Sequence, residues 1–306
     1  MGSDDLHVVT GAFGYTGRYI AHRLLAERHS VRTLTGHPKR PDPFGGQVSV
    51  SPLAFDAPGE LVRSLQGATV LYNTYWIRFA RGDVTFETAI SNTEILLRAC
   101  EEAGVRRLVH ISISNPSVES PLPYYRGKAI VERMIRGSRL SYAILRPTVI
   151  FGAGDILVNN IAWFLRRFPI FAMPASRRSQ LQPVFVDDLA GLAVEAGAQN
   201  ENTILDAVGP ETYTLEELVR LIHAKIGSRA RIVNLPTGIV RSLLGLVGLF
   251  VRDVVLTEDE LAGLMSNVLI SHSAPAAHTR FSAWLEQNVG SLGIRYASEL
   301  ERHFRP

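Results

Sequence analysis

Tyr124 and Lys128 stand four residues apart in a segment with helical periodicity, so both side chains fall on one face of the predicted helix. A tyrosine has an ordinary pKa of about 10 and acts as a general base near neutral pH only when that pKa is lowered. A neighbouring ammonium group favours the phenolate and so lowers the pKa. The pair therefore predicts an acid/base site, and the alternative is an ordinary surface tyrosine beside a surface lysine.

The start of the chain carries a glycine pattern between strand-like and helical segments. An apolar run, the glycine turn, an amphipathic helix and a second β-like run follow one another at residues 6–9, 10–17, 18–25 and 31–34. Glycines in such a turn permit a tight bend, close approach to a diphosphate and close packing of the helix, whose N-terminus attracts phosphate. The alternative is an ordinary glycine-rich turn. The pattern predicts a dinucleotide site formed by Gly11, Phe13, Gly14, Tyr15, Thr16 and Gly17.

The end of the second strand bears on the choice of cofactor. An acidic residue there would bind the ribose 2′-hydroxyl of NAD and repel the 2′-phosphate of NADP. No acid is present, so the sequence favours NADP(H) and leaves NAD(H) open. Asp56 and Asn73, which follow later strands, are candidates for the adenine side and the cofactor edge, or are simply polar loop residues. The segment that replaces the acid contains Thr35, His37, Lys39 and Arg40.

Strand-like and helical segments alternate through the first half of the chain. Further strands are predicted at residues 48–50, 69–72, 107–113 and 142–145, and a long helix at residues 85–103. Alternation of this kind predicts an α/β fold, with a Rossmann-like doubly wound parallel sheet and a small C-terminal α/β lobe. We expect an NAD(P)-binding domain at residues 1–150, its sheet completed by later segments. A smaller substrate or partner lobe, interleaved with the first, is expected at residues 151–306.

Composition excludes several classes of function. The chain has 306 residues and a net charge of +3, which does not suggest nucleic-acid binding. Cys100 is the single cysteine and the nine histidines show no metal-ligand spacing, so we predict no metal site and a packing role for Cys100. Residues 1–5 are acidic where a signal peptide needs positive charge, and the apolar stretch at 243–251 is too short to cross a bilayer. We therefore expect a cytoplasmic protein without a transmembrane segment.

Taken together, these motifs resemble those of the short-chain dehydrogenase/reductase superfamily, in its extended and atypical, epimerase/dehydratase-like branches. The glycine pattern, an Arg-Pro strand, a Val-x-Val-x-Asp segment and a C-terminal segment carry the resemblance, at residues 10–17, 145–152, 183–190 and 204–218. The most similar subgroup contains the nucleotide-binding accessory subunit of respiratory complex I. In many members of this family, helices of two copies pair in a homodimer, so the resemblance implies a possible homodimer here.

The resemblance also implies roles for individual residues. Tyr124 would be the catalytic acid/base, and Lys128 would bind the nicotinamide ribose and lower the tyrosine pKa. Pro147 would lie on the strand beside the nicotinamide. A serine should hold the substrate oxygen, and Ser112 is favoured over Ser114. The catalytic position of many extended members is Ile113 here, which departs from the family pattern.

The segment before residue 184 bears on the substrate. Sugar-nucleotide epimerases of the family carry an Arg-Asp-Phe-like triplet there, and residues 181–183 read Leu-Gln-Pro in this chain, with Arg177 and Arg178 displaced. A nucleotide sugar is therefore disfavoured as the substrate. Apolar and aromatic residues at 161–165 and 168–173 would suit a hydrophobic or quinone-like small molecule, a partner surface or simply the core of the lobe.

Two functions of different class remain open. The first is an NAD(P)-dependent oxidoreductase or epimerase-like enzyme that transfers hydride between nicotinamide and a carbon bearing a hydroxyl or carbonyl. The second is a non-catalytic NADPH-binding module for assembly or regulation. Residues 239–251 form a leucine-rich helix that we expect to be a core helix first, or else a lid or a membrane-surface element.

Overall fold

The computed structural model describes residues 5–175 and 179–303, so Arg177 and Arg178 lie outside the described residues, as do residues 1–4 of the acidic start. Through the first 147 residues, strands and helices alternate as the sequence predicts. The elements in chain order are β1 (Leu6–Thr10), α1 (Tyr15–Ala26), β2 (Ser30–Thr35), β3 (Val48–Pro52), α2 (Pro58–Leu65), β4 (Ala68–Asn73), α3 (Phe86–Ala103), β5 (Arg107–Ile111), α4 (Pro123–Gly137) and β6 (Ser141–Pro147).

The rest of the chain contains shorter strands and seven further helices among the described residues. They are β7 (Ile150–Phe151), α5 (Leu157–Arg167), β8 (Ile170–Pro174), β9 (Gln180–Leu181), β10 (Val184–Phe185), α6 (Val186–Ala198), β11 (Thr203–Ala207), β12 (Tyr213–Thr214), α7 (Leu215–Lys225), β13 (Arg231–Leu235), α8 (Thr237–Val251), α9 (Glu258–Met265), α10 (Phe281–Asn288) and α11 (Glu299–His303).

The chain divides into two compact units. The first runs to Pro147 and resumes over Val186–Ala207, and the second comprises Thr148–Phe185 and the chain from Val208 onward. A seven-stranded sheet with the order β11-β6-β5-β4-β1-β2-β3 forms the centre of the first unit, and every neighbouring pair in it is parallel. The predicted Rossmann-like parallel sheet is therefore confirmed.

The sheet of the first unit is buried because its strands are apolar on both faces, as parallel sheets require. Helices α2, α3 and α4 cover one face, where Leu61, Leu96 and Ile135 are fully buried. Cys100 lies in the same core cluster, and burial raises the pKa of its thiol, which confirms the predicted packing role. Helices α1 and α6 contact each other. Gly197 of α6 lies so close to the Tyr72 side chain that no larger residue fits at position 197.

The second unit is built from two-stranded pairings, β10 with β7, β12 with β9 and β13 with β8, together with α5 and the helices from α7 to α11. The expectation that residues 239–251 form a core helix is wrong, because Val240 is the only buried residue of α8. Thr257 and Glu260 form a capping box at the start of α9. Among the described residues, no helix combines the length and hydropathy that crossing a membrane requires.

Candidate active site

The glycine turn connects β1 to α1 as the sequence predicts. Gly11 has a φ of +67°, a left-handed conformation that favours glycine. A Cβ on Gly17 would lie 2.8 Å from the carbonyl carbon of Gly11, and one on Gly14 would lie 3.1 Å from the Gly11 oxygen. No side chain caps the N-terminus of α1. Bare backbone at a helix N-terminus is the environment that a diphosphate needs, so this turn fits the group that the glycine pattern predicts.

The remaining residues predicted for the nucleotide surround this turn in different ways. Phe13 is buried, while Tyr15 and Thr16 are half-buried in the first turn of α1. After β2, the Thr35 hydroxyl accepts a hydrogen bond of 2.9 Å from the backbone N–H of His37. A second bond, from the Arg40 N–H to the His37 carbonyl at 3.2 Å, closes the next turn, which carries Lys39.

The basic residues after β2 differ in exposure. Lys39 is exposed, and Arg40 and His37 are half-buried. Burial, and then the charge of Arg40, lower the pKa of His37 and so disfavour its charged form. Asp56 is exposed four residues after the end of β3. The cationic charge at this end of the sheet therefore comes from the lysine and the arginine.

Asn73 ties three strand ends together. Its Oδ1 accepts hydrogen bonds from the Thr10 hydroxyl at 3.2 Å and from the Tyr75 N–H at 3.0 Å. Its Nδ2 lies 3.1 Å from Nδ1 of His110. The residue is fully buried, so its side chain is not available to a nucleotide in this structure, and it holds the carboxyl ends of β1, β4 and β5 in place instead.

Tyr124 and Lys128 occupy the first turns of α4, which begins at Pro123. Nζ of Lys128 donates a 2.7 Å hydrogen bond to the Ile111 carbonyl at the end of β5. Burial lowers the pKa of Lys128 to about 7, and the charge of Glu132 raises it in part. The ammonium of Lys128 is therefore held in a site where its charged form needs additional partners.

Trp76 packs against Tyr124 and Lys128, and the sequence alone did not predict a role for this tryptophan. Lys128 Nζ lies 4.8 Å from the centre of the Trp76 ring, and the Tyr124 ring meets that ring edge-on at 6.1 Å. A Cβ on Gly127 would lie 2.9 Å from the indole, so the glycine admits the indole against α4. Nε1 of Trp76 is buried without a hydrogen-bond partner among the described residues.

The glycine turn and the acid/base pair lie on the same edge of the sheet. Gly11 follows β1, Trp76 lies just beyond β4, and Lys128 bonds to the last residue of β5. These three strands are parallel neighbours in the order β5-β4-β1. Because neighbouring strands are about 4.8 Å apart, two strand spacings of about 10 Å separate the turn from the pair. An extended dinucleotide can reach both.

Ser112 is bound to a buried carboxylate. Its hydroxyl donates a 2.5 Å hydrogen bond to Oε1 of Glu132, one helical turn beyond Lys128. Arg146 donates to both oxygens of the same carboxylate, at 3.0 Å and 2.5 Å. Ser114 is buried, and its backbone N–H donates to the Pro147 carbonyl at 2.8 Å. The favoured serine therefore belongs to a Ser112–Glu132–Arg146 network.

Sequence signals for this network existed but were not used. Glu132 has the same four-residue spacing from Lys128 that Lys128 has from Tyr124, and Arg146 is the arginine of the Arg-Pro strand. Trp76 had no comparable spacing to reveal it. Among the described residues, no cluster of three or more His, Cys, Asp or Glu side chains could hold a metal ion.

Gln182 stands in the segment where nucleotide-sugar enzymes carry the Arg-Asp-Phe-like triplet. It is buried, its Nε2 donates to the Gly209 carbonyl at 2.9 Å, and its Oε1 accepts from the Ser271 N–H at 3.1 Å. Its polar atoms join loops within the second unit.

Comparisons with known proteins identify a nucleotide-binding segment. Residues 11–154 match a family model described as NAD(P)H-binding, a range that includes both the glycine turn and the tyrosine–lysine pair. The mitochondrial NADH dehydrogenase [ubiquinone] 1 alpha subcomplex subunit 9 of Arabidopsis thaliana is 25% identical over 285 residues. That alignment covers 87% of this chain and 71% of the plant protein.

Solved structures share the fold over nearly the whole chain. The NADPH-dependent quinone oxidoreductase QOR2 of Escherichia coli, solved with NADPH, matches with a TM-score of 0.70 and 19% identity, covering 95% of this chain and 97% of that one. A nucleoside-diphosphate-sugar epimerase from Staphylococcus aureus matches with a TM-score of 0.65 and 16% identity, covering 96% and 99%. The glycine turn, the parallel sheet and these relatives support the resemblance of the chain to the extended, atypical branches of the short-chain dehydrogenase/reductase superfamily.

Proposed function

We propose that the protein is an NADP(H)-dependent oxidoreductase acting on a small molecule with a hydroxyl or carbonyl carbon. The observation that carries the proposal is the position of Tyr124 and Lys128 on the same sheet edge as the glycine turn. When bound, the nicotinamide supplies or accepts the hydride. The protein supplies the proton, the binding surface and the electrostatic setting.

Tyr124 exchanges the proton with the substrate oxygen. Its ring is held edge-on by Trp76 and Phe86, at 6.1 Å and 6.2 Å, which fixes the direction of the phenol. Lys128 lies one helical turn away, and its ammonium favours the phenolate. The ribose hydroxyls of a bound nucleotide provide the partners that the buried ammonium requires, so binding and proton transfer depend on the same lysine.

Ser112 contacts the substrate oxygen in this proposal, with Glu132 setting its orientation. The hydroxyl proton of Ser112 points to Glu132, so the serine oxygen faces a substrate as an acceptor. An acceptor suits the hydroxyl form of a substrate, and the carbonyl form requires the serine proton to turn away from Glu132. This arrangement favours alcohol oxidation as the direction in which Ser112 assists without rearrangement.

The residues after β2 favour NADP(H) over NAD(H). The strand ends without an acid, and Arg40 stands in the turn that its own backbone N–H closes by donating to the His37 carbonyl at 3.2 Å. A guanidinium in this turn suits a 2′-phosphate. Replacing Arg40 with Glu should raise the Kd for NADPH by about tenfold or more and leave the Kd for NADH within about twofold. Equal losses for both nucleotides would refute the assignment.

A panel of substrates tests the proposal directly. Purified protein with NADP⁺ or NADPH is given alcohols, carbonyl compounds, quinones and nucleotide sugars, and absorbance at the reduced-nicotinamide band is followed. Tyr124→Phe should lower kcat by about 10²–10⁴-fold while the Kd for NADPH is unchanged. Tyr125→Phe is the matched control, because Tyr125 is buried one position away and has no lysine one turn later.

The alternative function is a non-catalytic NADPH-binding subunit for assembly or regulation. It is favoured by the bond that occupies the Ser112 hydroxyl and by the similarity to a subunit of mitochondrial NADH dehydrogenase. Tight NADPH binding without turnover of any substrate, and with no effect of Tyr124→Phe in the cell, would support this alternative and refute the enzyme. We retain a cytoplasmic location as a prediction, which cell fractionation tests.

A further inference from the structure

Helix α8 exposes an apolar surface that the proposed function does not use. Its exposed hydrophobic side chains, the α8 strip, are Ile239, Leu243, Leu246, Leu249 and Phe250. Four of them recur at intervals of three or four residues and so share one face of the helix. Leu249 and Phe250 are 78% and 73% exposed. Scattered exposed hydrophobics need no explanation, but a contiguous group of this kind marks an interaction surface.

The α8 strip continues onto a cluster of aromatic rings in the same unit. The Phe250 ring lies 6.3 Å from that of Phe168, which in turn lies 5.9 Å from Trp163. Tyr296 meets Trp163 at 5.2 Å. Ile170, two residues beyond Phe168, is 57% exposed. The apolar surface is therefore bordered by half-buried tryptophan, tyrosine and phenylalanine side chains.

Arginine side chains lie beside this surface. The guanidinium of Arg167 lies 4.7 Å from the centre of the Trp163 ring. Arg241 is exposed on the side of α8 opposite most of the strip, and Arg252, which ends the helix with a left-handed backbone, is exposed too. The helix itself contains no acidic residue, and Glu258 of α9 pairs with Arg241 at 3.3 Å.

We propose that α8 lies flat on the surface of an anionic lipid bilayer, with the α8 strip among the headgroups and upper acyl chains. Helix α8 has 15 residues and is about 22 Å long, whereas a helix that crosses a bilayer needs about 20 residues. We therefore place α8 parallel to the membrane plane, at the bilayer surface. Tryptophan and tyrosine prefer this interface, and arginine reaches from it toward anionic headgroups. On this face the hydroxyl of Ser242 donates to the helix's own Gly238 carbonyl at 3.2 Å, so the surface that α8 presents is apolar, which favours lipid as the occupant.

Vesicle sedimentation of the full-length protein tests the proposal. The vesicles contain about one part phosphatidylglycerol to two parts phosphatidylcholine, and pure phosphatidylcholine vesicles serve for comparison. The test variant is Leu246→Gln with Leu249→Gln, and Leu249→Gln alone is the milder form. Ile204→Gln is the matched control, because Ile204 is an exposed hydrophobic outside this surface. Circular dichroism confirms that each variant is folded.

We expect the wild-type protein and the Ile204 variant to sediment with the anionic vesicles and to be released by salt. Each substituted leucine should lower the partition coefficient about tenfold, because a buried leucine is lost from the apolar phase. Wild-type protein that stays in solution would overturn the proposal. Sedimentation that the leucine substitutions do not reduce would also overturn it. A third contradicting result is a dimer in light scattering that the leucine substitutions dissociate, with no binding to vesicles.

Discussion

Lys128 should make the stability of the nucleotide-free protein rise with pH. Burial lowers its pKa from 10.5 to about 7 in the folded chain, and the unfolded chain restores the ordinary value. Between about pH 7 and pH 8.5 the unfolded chain keeps this proton while the folded chain loses it, so unfolding takes up a proton. A higher pH therefore opposes unfolding and stabilises the fold in this window.

The size of the effect follows from the two pKa values. Raising the pH from about 7 to about 8.5 should increase the free energy of unfolding by about 1.6 kcal/mol through this lysine alone. The titratable groups facing it are Glu132 on its own helix and His110 on β5. Burial keeps His110 neutral by holding its pKa well below the ordinary value, so the imidazole does not titrate in this window.

Urea unfolding of the wild-type protein and Lys128→Met at the two pH values measures the effect. The wild type should gain about 1.6 kcal/mol more than the variant over this interval. Lys225→Met, which removes a surface lysine paired with Glu286, serves as the control and should keep the wild-type gain. If the free energy of unfolding rose equally with pH in the wild type and in Lys128→Met, the result would refute the claim that the Lys128 ammonium is buried with few partners. The argument for cofactor binding by Lys128 depends on that claim.

Three further substitutions test the site and its frame. Gly17→Ala forces a methyl group into the preceding turn, so it should lower stability by about 1–3 kcal/mol in thermal melting and weaken NADPH binding in calorimetry. Gly137→Ala, at the end of α4 and with open space around it, is the control and should change either quantity by little. Glu132→Gln leaves a mostly buried guanidinium without its carboxylate and should cost about 3 kcal/mol in urea unfolding, whereas Glu94→Gln on the surface should cost under about 0.5 kcal/mol. Trp76→Phe removes a buried N–H that a bound ligand can satisfy and should raise the Kd or KM about fivefold, with no loss of stability. An unchanged Kd and KM for Trp76→Phe would contradict the role given to the indole N–H. Equal losses of stability in the Gly17 or the Glu132 variant and its control would contradict the contact described for that residue.

The first half of the fold was predictable because its signals are local. Strand periodicity and the glycine turn each lie within a few residues, and the observed α1 and α3 begin and end within a few residues of the predicted limits. Helix α8 was not predictable in the same way. Its leucine-rich composition suits a buried helix and an exposed apolar one equally, and only its tertiary neighbours distinguish them.

The candidate site was predictable in its chemistry and less so in its contacts. The spacing of Tyr124 and Lys128 specifies one helix face, which α4 displays. The partners that decide how Ser112 behaves come from elements distant in the chain, since Glu132 is 20 residues and Arg146 is 34 residues away from it. Asn73 is a candidate for nucleotide binding from the sequence because polar residues at strand ends often contact ligands. In the structure its side chain instead forms hydrogen bonds to residues of the neighbouring strands.

A structure of the protein crystallised with NADPH tests the central claim most directly. We predict the diphosphate on the N-terminus of α1 beside Gly14, the ribose hydroxyls within about 3.2 Å of Lys128 Nζ, and the reactive edge of the nicotinamide facing the phenol of Tyr124. A nucleotide bound elsewhere, or one whose nicotinamide points away from Tyr124, would contradict the claim.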